Sequence, residues 1–120
     1  MNSNEEVRRI SLHPNYWVSD QGNVYREKQK ELYLLQKDIC CGFARVTLNR
    51  DKCYVGRLVL EAFRPTKDIH MQVYHIDGNK LNDSLDNLAW LTKSQIHRYS
   101  YYTDEYKRTE AHRREVLGLF

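Results

Sequence analysis

The sequence predicts one mixed α+β domain, with antiparallel hairpins first and helices last. Three observations predict it. Aromatic and β-branched residues flank polar turns in the first half, as at Tyr16-Trp17-Val18 and Val24-Tyr25 around Ser19-Asp20-Gln21-Gly22. From Val55 the apolar spacing changes to a helical one. The chain has 120 residues, a length that fits one domain, or one domain with an appendage.

Residues 1–13 read as a polar lead-in. Tyr16 to Tyr25 reads as a β-hairpin, and residues 26–31, REKQKE, as a charged connection. Leu32 to Leu35 is a short apolar run. Gly42 to Leu48 alternates apolar and polar residues, the mark of a half-buried strand. Asn49-Arg50-Asp51-Lys52 is a polar turn, and Cys53-Tyr54-Val55 resumes a strand, which makes a second hairpin. Val55, Leu58, Val59, Ala62 and Phe63 then form the stripe of a short helix, ended by Arg64-Pro65. A short strand at Val73–His75 precedes a turn at Asp77-Gly78-Asn79-Lys80 and a polar loop. Leu85, Leu88 and Trp90 are apolar anchors, with Leu88 and Trp90 assigned to the core. Thr92 is the N-cap expected for a helix from Lys93 to His97, and the chain reads as helical again from about Thr103.

Composition excludes several classes. Hydrophobic residues are 41% and charged residues 29%, which argues against wholesale disorder. No apolar run reaches the roughly 18 residues of a membrane helix, and the polar start MNSNEEVRRI has no apolar signal core, so no secretory leader is expected. The net charge of +3 permits a polyanionic partner without demanding one. Cys40, Cys41 and Cys53 form neither a disulfide framework nor a zinc motif and read as reduced thiols.

Three stretches, in this order and spacing, carry a resemblance. Tyr16-Trp17-Val18-Ser19 with Gly22-Asn23-Val24 looks like a YxVSxxGxV module. Val55 to Phe63, VGRLVLEAF, is similar to a VHRLVAEAF helix. Val73 to Asn82, VYHIDGNKLN, followed by Asn87-Leu88-Ala89-Trp90-Leu91-Thr92, matches a VDHIDGNKxNN…NLxWxT core. Together they resemble the HNH endonucleases, in particular the small phage-type homing enzymes, over roughly residues 14–98.

The resemblance implies a ββα-metal core of the His-Me finger kind, preceded by a small antiparallel sheet and followed by a C-terminal helix. It divides the chain into the lead-in 1–13, an N-terminal β module at 14–54, the core at 55–98 and a helical extension at 99–120. In such a site His75 is the general base that activates water, and Asn87 orients that His or braces its loop. The residue before the His and one on the following helix ligate a divalent cation, Mg²⁺ or another, which neutralises the scissile phosphate.

This chain departs from the pattern at both ligand positions. Tyr74 stands where the family has Asp, and Ile96 where these relatives have Asn; Gly56 stands where many relatives have His. Tyr is a poor hard-cation ligand and Ile cannot ligate. The expected reading is therefore a nuclease-like fold that no longer cuts, with His75 and Asn87 vestigial and no metal bound. An active divalent-metal-dependent nickase with unusual ligands is the alternative. A slip of one residue on the helix, about 100°, would turn His97 inward as a substitute ligand, with His70 or Asp77.

Arg45, Arg50, Lys52 and Arg57 cluster on the second hairpin and the adjoining helix. They read either as a solvated face or as phosphate contacts, since relatives lay this module on DNA. Tyr99, Tyr101, Tyr102 and Tyr106, beside Lys107, Arg108, Arg113 and Arg114, read as core packing, a dimer contact or a partner surface. The partner expected is double-stranded DNA or a host or defence protein, in the cytoplasm of an infected bacterial host, with no membrane. The residues after 98 are expected to be too few for a helix-turn-helix reader. The sequence does not specify the oligomeric state.

Overall fold

The computed structural model describes residues 4–118. Strands β1 (Val7–Ile10), β2 (His13–Ser19), β3 (Val24–Lys28) and β4 (Glu31–Leu34) form an antiparallel sheet in that order. The stretch read as a polar lead-in thus carries β1, because Val7 and Ile10 can pair with β2, with an irregularity between Arg9 and Ile10. Strands β5 (Asp38–Cys40), β6 (Phe43–Leu48) and β7 (Asp51–Tyr54) form a second antiparallel sheet. Its tight loops Cys41-Gly42 and Asn49-Arg50 each hold two residues at positive φ, the backbone twist that matches paired strands.

Helix α1 (Val55–Phe63) follows β7 directly and buries Val55, Leu58, Val59 and Leu60 against both sheets. Strand β8 (Gln72–His75) pairs with β9 (Leu88–Leu91), with Tyr74 opposite Ala89 and His75 opposite Leu88. A single 3₁₀ turn, Leu85–Asn87, leads into β9. Then come three short helices, α2 (Lys93–Tyr99), α3 (Asp104–Lys107) and α4 (Glu110–Leu117). Thr92 caps α2 as its side chain accepts from the Gln95 N–H, while Gln95 Oε1 accepts from the Thr92 N–H at 2.9 Å.

The β8–β9 hairpin is a partition between two cores. Val73, Leu88 and Trp90 face the larger core, made by the two sheets and α1. Tyr74, Ala89 and Leu91 face a smaller one with Ile76, Ile96, Tyr99, Tyr102, Val116 and Leu117. The alternation of a strand produces this division residue by residue. Leu88 is fully buried, as expected; Trp90 is only half-buried, with its Nε1–H donating to the Arg64 carbonyl at 2.7 Å and its ring under Arg57.

Candidate functional site

His75 and Tyr74 leave β8 on opposite faces. His75 is buried, and its Nε2–H donates to the Asp83 carboxylate at 2.7 Å, itself 3% exposed. Three things allow this buried carboxylate. The imidazole satisfies one oxygen. The first turn of α1 stands against it: a Cβ on Gly56 would lie 2.8 Å from Asp83 Oδ1 and 3.5 Å from His75 Nε2. That turn holds no acidic residue of its own, and helix N-termini favour an anion. Glycine at 56 therefore leaves room for the pair.

The N-terminal hairpin braces the same loop. Ser19 Oγ accepts from the backbone N–H groups of Gln21 and Asn23 and closes the turn. Gly22, at φ +83°, lets the turn lie against the backbone of Asp83, where a Cβ would come within 2.9 Å of the carbonyl. The Leu85 N–H donates to the Asp20 carbonyl at 2.8 Å.

Asn87 holds the loop between the strands. Its Nδ2 donates to Asp77 Oδ1 and to the Asn82 carbonyl, both at 2.9 Å, and its Oδ1 accepts from the Asp77 N–H at 3.0 Å. Burial works to raise the Asp77 carboxyl pKa, but bonds from Asn82, the Asn79 N–H and Asn87 hold it below the ordinary value. The side-chain hydrogen bonds of Asn87 thus go to the loop, and His75 is oriented by Asp83.

On the other face, Tyr74 is part of an aromatic cluster. Its hydroxyl shares a 2.8 Å hydrogen bond with Nε2 of His112, a fully buried residue of α4. Tyr99 and Tyr102 meet the His112 ring edge-on with centroids 5.0 and 5.5 Å away. Burial, with Tyr99 and Glu115 nearby, pushes the Tyr74 phenol up to about 12. It stays neutral at physiological pH. Ile96 packs against the same cluster. The two positions at which the resemblance places metal ligands are therefore brought together, but as core. A hard divalent cation takes carboxylate, carbonyl or water oxygens. A neutral, hydrogen-bonded phenol and an isoleucine do not fit it. His97 is exposed, with its ring against Tyr101. Among the described residues no three His, Cys, Asp or Glu side chains converge as a ligand set.

The basic residues divide. Arg45 is held by Asp38 in a two-pronged contact, Nε to Oδ1 at 3.0 Å and Nη2 to Oδ2 at 3.1 Å, which keeps the Asp38 carboxyl below its usual range. Lys52 shares the sheet face of Arg45 and lies 3.8 Å from Asp38. Arg57 pairs with Glu61 one helical turn on. Arg50 stands exposed in the β6–β7 loop, with no ion pair among the described residues. Tyr54 and Arg57 stand between two clefts of about 400 and 320 Å³, and His75 and Asp83 line the smaller.

Sequence reasoning missed Asp83 and His112. Asp83 lies in a polar loop whose spacing to His75 carries no helical or strand period. His112 stands among Arg113, Arg114 and Glu115, which disguise a buried residue. Tyr99, Tyr102 and Tyr106 share no single helix, since α2 ends at Tyr99 and α3 begins at Asp104; the turn between the helices gathers their rings around His112.

A two-stranded hairpin flanked by helices, with a buried His on the first strand, is the architecture of a ββα nuclease core. Residues 53–98 match the family model described as HNH endonuclease. The H-N-H endonuclease F-TflII of Escherichia phage T5 is 36% identical over 100 residues, covering 78% of this chain and 51% of that protein. An uncharacterised HNH endonuclease of Acanthamoeba polyphaga mimivirus is 33% identical over 87 residues, covering 69% of this chain and 26% of that one. The solved structure titled "DNA binding and cleavage by the HNH homing endonuclease I-HmuI" superposes with a TM-score of 0.66 at 28% identity, covering 86% of this chain and 64% of that one. The likeness to the HNH endonucleases is thus carried by residues 53–98 and by the fold. It spans about half the length of the phage relative and about a quarter of the mimivirus one. No helix among the described residues is long and apolar enough to cross a membrane.

Proposed function

We propose that this chain is a phage-type HNH homologue that binds DNA and does not cut it. The observation that carries this reading is the fate of the ligand positions: Tyr74 and Ile96 are packed into a core closed by α4, with the Tyr74 oxygen bonded to His112. His75 is retained, but as the partner of Asp83. The relatives are named as endonucleases, and the solved neighbour's title reports DNA binding and cleavage, which favours DNA over a host or defence protein as the partner.

Supercoiled plasmid incubated with Mg²⁺, Mn²⁺ or Ni²⁺ should give no more nicked circle than without metal. Nicking that disappears in His75→Ala would overturn the reading and favour an active nuclease with unusual ligands. Binding is tested by gel shift. Arg45 is held by a two-pronged contact with Asp38, whereas Lys52 and Arg57 make single exposed ion pairs and Arg50 makes none among the described residues, so the salt-sensitive contacts are Arg50, Lys52 and Arg57. Three phosphate contacts give a log–log salt slope of roughly −3, measured between about 50 and 200 mM, and Lys52→Ala with Arg57→Ala should flatten it by about 2. Absence of a shifted band at the lower salt sinks the DNA reading and makes a protein partner the better one.

A further inference from the structure

The two clefts beside α1 share a wall. Tyr54 and Arg57 line both, so Tyr54 stands as a ridge between them. It is 43% exposed although it is a large aromatic residue at the end of a strand. Phe43 supports its ring edge-to-face at 5.9 Å and in turn lies 5.7 Å from the ring of His75. The cleft on the His75 side, about 320 Å³, has the exposed Gln72 among its lining residues. Its volume lies in the range of small-ligand pockets, roughly 300–1,000 Å³.

Cations mark both ends of this track. Lys80 Nζ stands 4.9 Å from the centroid of Phe43. Beyond Tyr54, the other cleft is bordered by Arg9 and Lys52. The acidic groups nearby are engaged: Asp83 with His75, Asp51 with His13, Glu61 with Arg57, Asp38 chiefly with Arg45 and at 3.8 Å with Lys52, and Glu27 with Arg9, the last two being exposed pairs that a phosphate can replace. An aromatic ridge between two concavities, with positive charge at each end, suits a chain that alternates flat rings with negative charges. Duplex DNA keeps its bases stacked on one another; an unpaired strand offers their faces to an exposed aromatic ring.

We propose that Tyr54 is a stacking post for an unpaired nucleobase, so that this surface prefers single-stranded DNA to duplex. The proposal rests on the DNA-binding reading above and adds the form of DNA. Phe43 fixes the post, Gln72 faces the base edge, and Lys80 and Lys52 take the flanking phosphates.

The test uses the full chain with a fluorescein-labelled single-stranded oligonucleotide carrying one 2-aminopurine, and the matching blunt duplex. The single strand should bind more tightly, and 2-aminopurine emission should change on binding. Tyr54→Ala should weaken single-strand binding roughly 5- to 150-fold, the range for loss of one base–aromatic stack, with little change for duplex. Tyr54→Phe should restore it, since stacking needs the ring and not the hydroxyl. Tyr101→Ala, at a ring 77% exposed on the far helices, should leave it unchanged. An unaltered single-strand affinity in Tyr54→Ala, or equal loss for single strand and duplex, overturns the stacking post while duplex binding still stands. Binding to neither form overturns the DNA reading itself, and the inference with it.

Discussion

Tyr74 and His75 are neighbours on one strand, yet their surroundings share almost nothing. The Tyr74 side is closed: three tyrosine rings, Ile96 and the buried imidazole of His112 fill it, and α4 covers it. The His75 side is a cleft, with the buried His75–Asp83 hydrogen bond at its floor and aromatic and basic residues at its rim. The pleat of β8 makes the separation, because successive side chains point to opposite faces. Core residues on one face leave the other face and the surface around it free to differ. In this chain the proposed loss of metal chemistry and the proposed retention of DNA contact can therefore coexist on a single four-residue strand.

The strongest way to break this contrast is to empty the closed side. Tyr74→Ala removes a buried ring and leaves His112 without its Nε2 partner, and it should cost about 3–5 kcal/mol, as for other buried aromatics. Chemical denaturation measures it; a loss under about 1 kcal/mol would mean that α4 does not seal this face. The open side should respond less. Asp83→Ala unpairs His75 and should cost roughly 1.5–3 kcal/mol, the range for a hydrogen bond to a charged group. If the contrast is right, duplex binding at low salt survives in this variant, because the basic residues that carry it lie outside the pair.

The smallest effect sharpens the picture through pH. Burial pushes the His112 imidazole below its ordinary value of 6.5, an effect that Glu115, 3.5 Å from Nδ1, partly opposes and Lys107 reinforces. The unfolded chain then takes up a proton near the ordinary value while the folded chain does not. Stability should fall as the pH drops below about 6.5 and level off once the folded group also titrates. Melting curves at about pH 7.5 and about pH 5.5 read this out, and His112→Gln should flatten the dependence. A wild-type melt that does not move between those values would show that His112 is not held neutral in the closed core.

Much of the architecture was readable in advance because it is written in short-range patterns. The helix at Val55–Phe63 follows from the i, i+3, i+4 stripe, the cap at Thr92 from its hydroxyl and Gln95, and the hairpins from alternation around polar turns. The ordered motifs were enough for the resemblance, and the reading of Tyr74 and Ile96 as departures from its ligand pattern rests on residue identity alone. What such patterns cannot carry is which distant groups meet. Asp83 is the partner of His75 only because a loop folds back over Gly56, and Arg45 is neutralised only because β5 lies beside β6. Val7 and Ile10, in a stretch read as a polar lead-in, form a strand because β2 supplies a hydrogen-bonding edge. His112 is buried although its neighbours in sequence are charged, since α4 turns that one position toward Tyr74. By itself the sequence determined the local conformation and the chemistry that each position could offer. Tertiary structure alone decided which positions share a low-dielectric interior, because burial and pairing depend on packing between segments far apart in the chain.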